Sequence, residues 1–341
     1  MRTRPHRAPA TRPAQRGAAL LMAMVIVTLV ATFAASMVWQ QWRAVQVEGA
    51  ERVRAQAMWV LSGALDWARL ILREDARNGG ADHLGEAWAT PLAEARLSTF
   101  LAVDNANTDD APEAFLSGRV EDATSRYNLR NVVDGNGELD PQETAVLRRL
   151  CETLGLPPSL GDGLAASYRR AWLAQQSADP AMLARLGGES GLAQAALMPQ
   201  SVDQLVWLGL DAATVERLRP YLTVLPDATG VNANTAPKEV IAAVVERLDL
   251  ASAERLVQAR QRAAFKDTGD VGRALGVTTG MDFSRLRVNS DFFEVRGRLR
   301  LEDNVIEQRH LVQRVGMDVL VRYQTRFSGL EPSGGSGQTR P

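Results

Sequence analysis

Cysteine is almost missing from this chain: Cys151 is the only one in 341 residues. No intramolecular disulfide and no thiol-rich metal centre can be built from it. Within Leu147-Arg148-Arg149-Leu150-Cys151 it reads as a small core residue. Histidine is nearly as scarce, with only His6, His83 and His310, which leaves little material for acid–base chemistry. His310, in a strand-like stretch, reads as structural. No Ser/His/Asp or Cys/His set and no phosphate loop is present. Of the 39 Lys and Arg residues only Lys238 and Lys266 are lysines, and 40 Asp and Glu bring the formal net charge to −1. That balance speaks against a general binder of nucleic acid or acidic lipid. At 45% hydrophobic and 23% charged, the chain is large enough for two domains with real cores.

What is present is concentrated near the N-terminus. Ala18 to Trp42 carries no charge, long enough for one helix to cross a hydrocarbon core of roughly 30 Å. Arg2, Arg4, His6, Arg7, Arg12 and Arg16 precede it without an acid, an asymmetry that keeps the N-terminus cytoplasmic and sends the rest across. A secretory signal cleaved near Phe33-Ala34-Ala35-Ser36 is the competing reading. However, no proline interrupts Arg43 to Asn78, and Val53, Ala57, Val60, Leu61, Ala64, Ala68 and Leu72 share a stripe at helical spacing. One helix of about 60 residues, near 90 Å at 1.5 Å per residue, is the economical outcome.

A basic leader ending in Gly17, followed by an apolar segment that opens a long helix, resembles the type IV pilin and pseudopilin family. The resemblance implies cleavage between Gly17 and Ala18 by a prepilin peptidase, methylation of the new N-terminus, and retention of the helix in the inner membrane with the C-terminal domain in the periplasm. Family members carry glutamate at the fifth mature position, where this chain has Met22. That carboxylate is thought to neutralise the ammonium of a neighbouring subunit, since an unpaired charge in lipid is expensive. Its loss suits a first subunit with nothing ahead of it. The missing acid and the unusual length together resemble the protein K family of type II secretion minor pseudopilins. Asp82-His83-Leu84-Gly85-Glu86-Ala87-Trp88-Ala89-Thr90-Pro91, Tyr127-Asn128-Leu129 with Asn131, and Val231-Asn232-Ala233-Asn234-Thr235-Ala236 resemble recurring pieces of that family. Taken by residue type, Asp82, His83 and Glu86 fall short of a zinc signature, and Trp88 reads as tucked under a loop.

The loop Asp134-Gly135-Asn136-Gly137-Glu138-Leu139-Asp140-Pro141-Gln142-Glu143 alternates oxygen-bearing side chains. Asp134, Asn136, Glu138, Asp140 and Glu143 are therefore candidate ligands for Ca²⁺. It is not an EF-hand, because Leu139 stands where glycine is needed and Ala145 where the closing glutamate belongs. A solvated turn with Asp140 as N-cap and Pro141 at the first helical position explains the same residues.

Helices are expected at 142–154, 162–176, 179–186, 201–208, 212–222, 236–247, 251–264 and 267–275, and Asn234-Thr235 reads as a capping start for the sixth. That unit also resembles helix-hairpin-helix modules, so a membrane-anchored DNA-binding module is the rival function. Its turn is Leu248-Asp249-Leu250, where a carboxylate repels phosphate. Residues 201–280 hold nine Lys and Arg against ten Asp and Glu, no excess for nucleic acid.

Strand patterns cover 114–122, 125–131, 291–301, 305–315 and 319–325. Their position on both sides of the helical block implies an insertion. The expected fold is α+β: a type IV pilin-like N-terminal helix on a small antiparallel sheet, with a large inserted all-α domain of helical-hairpin, SAM-like modules. The expected parts are a leader (1–17), the helix (18–80, with 18–42 transmembrane), a body from 81–131 and 283–325, the helical domain (132–282) and a disordered tail (326–341). The family resemblance implies a non-enzymatic subunit at the pseudopilus tip that initiates assembly and supports export across the outer membrane. Its implied partners are the I and J minor pseudopilins, the major pseudopilin and the inner-membrane assembly platform.

Overall fold

The computed structural model describes residues 16–97, 114–276, 280–301 and 304–330. The leader up to residue 15 and the chain beyond Leu330 lie outside these. Two compact units meet within the first helix, one ending at Trp59 and the other beginning at Val60.

The first helix, α1, runs from Arg16 to Asn78, so Gly17, Ala18 and Met22 are all helical. From Ala18 to Val47 its apolar side chains stay exposed, Met22 among them at 67%, and the helix is long and apolar enough to cross a membrane. Its few hydroxyls find partners inside the helix. Thr28 donates to the carbonyls of Met24 and Val25, Thr32 to Leu29 and Ser36 to Phe33, all within 3.0 Å. A helix in lipid must satisfy its polar groups in this way. Trp39 and Trp42 lie with ring centroids 5.5 Å apart at the end of the uncharged run, the residue type that membrane interfaces favour.

In the second unit, Leu61, Ala68 and Leu72 are buried on one stripe of α1. Ala68 and Leu72 pack with Trp88, Phe293, Val295, Val312 and Val319, and Arg69 Nε donates to the Val319 carbonyl at 2.9 Å. The sheet beneath has the order β1-β2-β7-β8-β9: β1 Leu92–Arg96, β2 Ala114–Asp122, β7 Phe292–Leu301, β8 Asn304–Val315 and β9 Asp318–Leu330. All four pairings are antiparallel. Gly297, which breaks the apolar alternation of its strand, lies under α1: a Cβ there would come within 3.1 Å of Leu61 Cδ2.

The sheet departs from the sequence expectation in three places. Leu92–Arg96 adds an edge strand that short alternation had not revealed. Tyr127–Asn128 (β3) leaves the sheet and pairs in parallel with β4, Leu222–Thr223, as β5, Val231–Asn232, does with β6, Leu286–Arg287. The last strand continues to Leu330, because β8 offers partners for it as far as Asn304, so residues 326–330 are strand rather than tail.

Between β2 and β7, neighbours in the sheet, the chain makes the helical block. Its helices are α2 Pro141–Thr153, α3 Pro158–Gln175, α4 Pro180–Leu186, α5 Gly188–Gln194, α6 Ala212–Leu218, α7 Lys238–Val244, α8 Leu250–Arg262 and α9 Thr268–Leu275. The expected helix at 201–208 is a 3-10 segment, Val202–Leu208. Helix α5 was hidden by the Gly187-Gly188 break. One continuous core joins these helices apart from α5, and Cys151 lies in it with no exposure. Burial pushes the Cys151 thiol to about 11, so it stays an unreactive thiol.

Glu294 illustrates how the body depends on pH. It accepts from Arg126 at 2.9 Å and Arg296 at 2.8 Å. Burial alone would raise its pKa, but the two guanidiniums outweigh burial and hold it at about 2. The group is charged in the fold at acidities where the unfolded chain already binds a proton. Its contribution is therefore complete above pH 4.5 and is lost as the pH falls from 4.5 to 2. That interval corresponds to about 3 kcal/mol. Urea unfolding of Glu294→Gln is expected to show a shallower loss of stability than wild type across this window.

Candidate functional site

Two of the three segments that carry the family resemblance, 82–91 and 231–236, meet at buried polar side chains. Asp122, at the end of β2, is the hub and is 3% exposed. Its Oδ1 accepts from the Thr124 amide at 2.8 Å and hydroxyl at 2.7 Å. Its Oδ2 accepts from Asn232 Nδ2 at 3.0 Å, Ser290 Oγ at 2.6 Å and Thr235 Oγ1 at 2.5 Å. Asn232 also donates to the Asp82 carbonyl at 3.0 Å. The Ser290 amide donates to Asp82 Oδ2 at 2.6 Å. One carboxylate thus binds β2, the Val231–Ala236 segment of the helical block and the chain entering β7.

Arg314, at the end of β8, extends the network to α1. Its guanidinium reaches Asp75 at 2.7 Å, both oxygens of Asp82 at 2.7 Å and the Ser290 carbonyl at 2.8 Å. Asp75, Asp82 and Glu86 bring carboxylate oxygens within 4.8 Å of one another. Burial, and for Asp75 the neighbouring Glu86, raises both aspartates above the ordinary carboxylate value while Arg314 pulls the other way. Here the guanidinium supplies the positive charge. Glu86 Oε2 accepts from the Trp88 indole at 2.7 Å and the His83 amide at 2.9 Å, and Trp88 packs edge-on against Phe293 with centroids 5.2 Å apart. His83 Nδ1 accepts from the Gly85 amide.

The Asn234-Thr235 pair does not cap the following helix, contrary to the sequence reading. Pro237 takes the N-cap position, without a side-chain bond. Asn234 and Thr235 sit too early in the chain and turn inward instead. Asn234 exchanges two hydrogen bonds with the Phe265 backbone, at 2.9 and 2.8 Å, and Thr235 joins Asp122. Arg260 closes the segment from the other side, donating to the Ala233 and Ala236 carbonyls at 2.7 and 2.6 Å; burial lowers its pKa to about 10. Asn128 and Asn131 act alike, binding the backbone of Leu225, Asp227 and Thr229. Asn234→Ala leaves a buried amide and a buried carbonyl of Phe265 unpaired. It is expected to lower stability by about 2 kcal/mol, measurable by chemical unfolding.

The candidate calcium loop is arranged differently. Asp134 Oδ1 accepts from the Asn136 and Glu138 amides. Glu138 pairs with Arg169 and Arg185. Asp140 caps α2 through the Gln142 and Glu143 amides. Glu143 binds the Tyr127 hydroxyl and Arg285. Only Asp134 and Asn136 keep their side chains together, at 3.4 Å. At the turn weighed for DNA, Asp249 accepts from the Ser252 amide, and Asp211 holds the Thr214 amide at the start of α6 in the same way. Those carboxylates occupy helix-start amides that a phosphate would need.

Residues 125–227 and 231–289 each match a family described as type II secretion system (T2SS), protein K. Type II secretion system protein K of Pseudomonas aeruginosa is 30% identical over 335 residues, covering 93% of this chain and 94% of that protein. The chain belongs to the type II secretion system protein K family. The Pectobacterium carotovorum protein K is 27% identical, covering 93% and 98% of the two chains. The fold is shared with a chain in the crystal structure of the GspK-GspI-GspJ complex from enterotoxigenic Escherichia coli. The TM-score is 0.60 at 17% identity, with 82% of this chain and 98% of that chain covered. Protein K of this family is a minor pseudopilin of type II secretion, a structural component rather than a member of a known enzyme family. The two family matches in this chain begin just before Tyr127 and at Val231, the segments whose polar side chains reach residues 225–229 and the Asp82–Asp122 network respectively.

Proposed function

We propose that this chain is the subunit at the tip of the type II secretion pseudopilus, where it starts assembly and supports export. After cleavage between Gly17 and Ala18, α1 stays in the inner membrane with its N-terminus cytoplasmic, and the second unit lies in the periplasm. The observation that carries the reading is Met22: a subunit without the family's glutamate has no carboxylate to offer an incoming ammonium, so it stands first. The size of the helical block supports it, since neighbours along a tightly wound shaft would clash with so large an addition. In this reading α1 and the antiparallel sheet form a pilin-like body, and the helical hairpins are SAM-like modules for protein contacts. The I and J minor pseudopilins are the direct partners, by analogy with the complex named above, followed by the major pseudopilin and the assembly platform.

Two measurements test this. Immunogold labelling of overproduced pseudopili is expected at one fibre end, and label repeated along the shaft overturns the tip assignment. Mass spectrometry of the mature chain is expected to show a methylated N-terminus at Ala18, with the leader retained in Gly17→Val. A start near Met37 would show that α1 is removed as a signal. The proposal extends to Ca²⁺ at the 134–143 loop only through Asp134 and Asn136, because Glu138, Asp140 and Glu143 are already engaged. A calcium-induced rise in Tm is then expected to vanish in Asp134→Ala. A rise that survives Asp134→Ala and Asp140→Ala together places the ion elsewhere.

A further inference from the structure

A cavity of about 380 Å³ opens where α3, the 198–200 segment, residues 224–226 and the β8–β9 pair come together. Its chemistry differs from that of the rest of the surface, where arginines are mostly paired with acids. No acidic side chain lines it, yet two guanidiniums do, Arg130 and Arg322. Arg130 lies over the Trp172 ring at 5.1 Å and donates to the Val133 carbonyl. Arg322 donates through Nε to the Gln313 side chain at 2.7 Å. Neither meets a carboxylate among the described residues. The apolar walls include Trp172, Met198 and Tyr323.

Tyr168 lines the same cavity. It has no exposure, and its hydroxyl is the buried side-chain polar atom that lacks a hydrogen-bond partner among the described residues. Burial pushes this phenol well above its ordinary pKa, only partly opposed by Arg130, so it remains a proton donor. Buried polar groups are satisfied in nearly all native structures, and an exception points to something that completes it.

We propose that this cavity binds the C-terminal residue of a peptide chain, its carboxylate held by Arg130 and Arg322 and its apolar side chain against Trp172, Met198 and Tyr323. A chain end fits better than an acidic side chain. It presents a carboxylate and an apolar group on one residue, and cations and aromatic walls share one small volume here. Capture of a terminal carboxylate by converging donors is a recurring mode of peptide recognition. Guanidiniums suit the task because their planar donors match both carboxylate oxygens. The Tyr168 hydroxyl supplies a further donor once a small side-chain shift admits the ligand. The inference is independent of where the subunit stands in the pseudopilus.

The test is calorimetric titration of the full chain in lipid nanodiscs with three probes: N-acetylphenylalanine, N-acetylphenylalaninamide and N-acetylaspartic acid α-amide. The free carboxylate of the first is expected to bind at least tenfold more tightly than the second or third. Arg322→Gln, at an exposed position, and Arg130→Gln are each expected to weaken it about tenfold. Tyr168→Phe removes an unpaired hydroxyl, so Tm should hold or rise while binding weakens severalfold, a split that a purely structural tyrosine would not produce. Equal binding of acid and amide, or wild-type affinity in both arginine variants, overturns the proposal. Preference for the aspartate probe overturns the assignment to a chain end.

Discussion

Alanine at Asp122 is expected to lower the unfolding free energy of the second unit by about 4 kcal/mol. The carboxylate accepts from two groups of Thr124 and from Asn232, Ser290 and Thr235, and all four residues are themselves buried. Truncation removes the acceptor that these buried donors share, and leaves the Thr124 amide without its partner. Removing one donor at a time, as in Ser290→Ala, should cost only about 1 kcal/mol, because the remaining donors still hold the carboxylate. Asp122→Asn keeps the volume but puts an NH₂ group among donors, and is expected to fall between these values. The loss corresponds to a Tm drop of roughly 8–15 °C, readable by circular dichroism. Because Asp122 joins the sheet to the helical block, Asn234 exchange protection should fall with it. A change below about 1 kcal/mol in Asp122→Ala would show that the junction is held by apolar packing alone.

The long helix, the β7–β8 hairpin and most helices of the block were legible because each repeats a period that its burial requires. Leu61, Ala68 and Leu72 mark one face of α1, and Asp140-Pro141 marks the start of α2. The junction was not legible. Asp82, Asp122, Asn232, Ser290 and Arg314 show no spacing in sequence, and Ser290 meets Asp82 across 208 positions. In its strand, Arg314 has the parity of the buried Val312 and His310 and not that of Arg309, but alternation alone could not name Asp75 and Asp82 as its partners. Only the family resemblance singled out 82–91 and 231–236, and it could not say that these segments bind each other. Asn234-Thr235 misled for a physical reason: short polar side chains before a helix serve equally well as caps or as bridges, and the choice is made by what lies on the other side. The missed strand β1 and the final turns of β9 are edge segments, whose pairing is set by the neighbouring strand more than by their own residues.

Arg314→Met is expected to cost about 4 kcal/mol at pH 7.5, and that cost should shrink in acid. The guanidinium is 12% exposed and neutralises Asp75 and Asp82, which are 17% and 3% exposed. Methionine keeps the stem against Phe293, over which Arg314 now lies at 5.1 Å, but leaves two buried carboxylates without a cation. Breaking a buried pair from one side typically costs 3–5 kcal/mol. Burial already raises both aspartates, with Arg314 opposing it, so its removal leaves the raising influences in control. A carboxylate whose folded pKa exceeds its unfolded value binds the proton more tightly in the fold. The penalty is therefore present above the folded pKa and is relieved as the pH falls through it. The difference in urea midpoint between wild type and Arg314→Met should narrow from pH 7.5 to pH 5, while the Glu294 contribution, common to both proteins, cancels. Adding Asp82→Asn to the variant removes one of the stranded charges and should recover part of the loss at pH 7.5 without the acid shift. A deficit that stays constant with pH, and is not reduced by Asp82→Asn, would mean that Arg314 acts through its stem and its bond to Ser290 rather than as the counter-charge that joins α1 to the sheet.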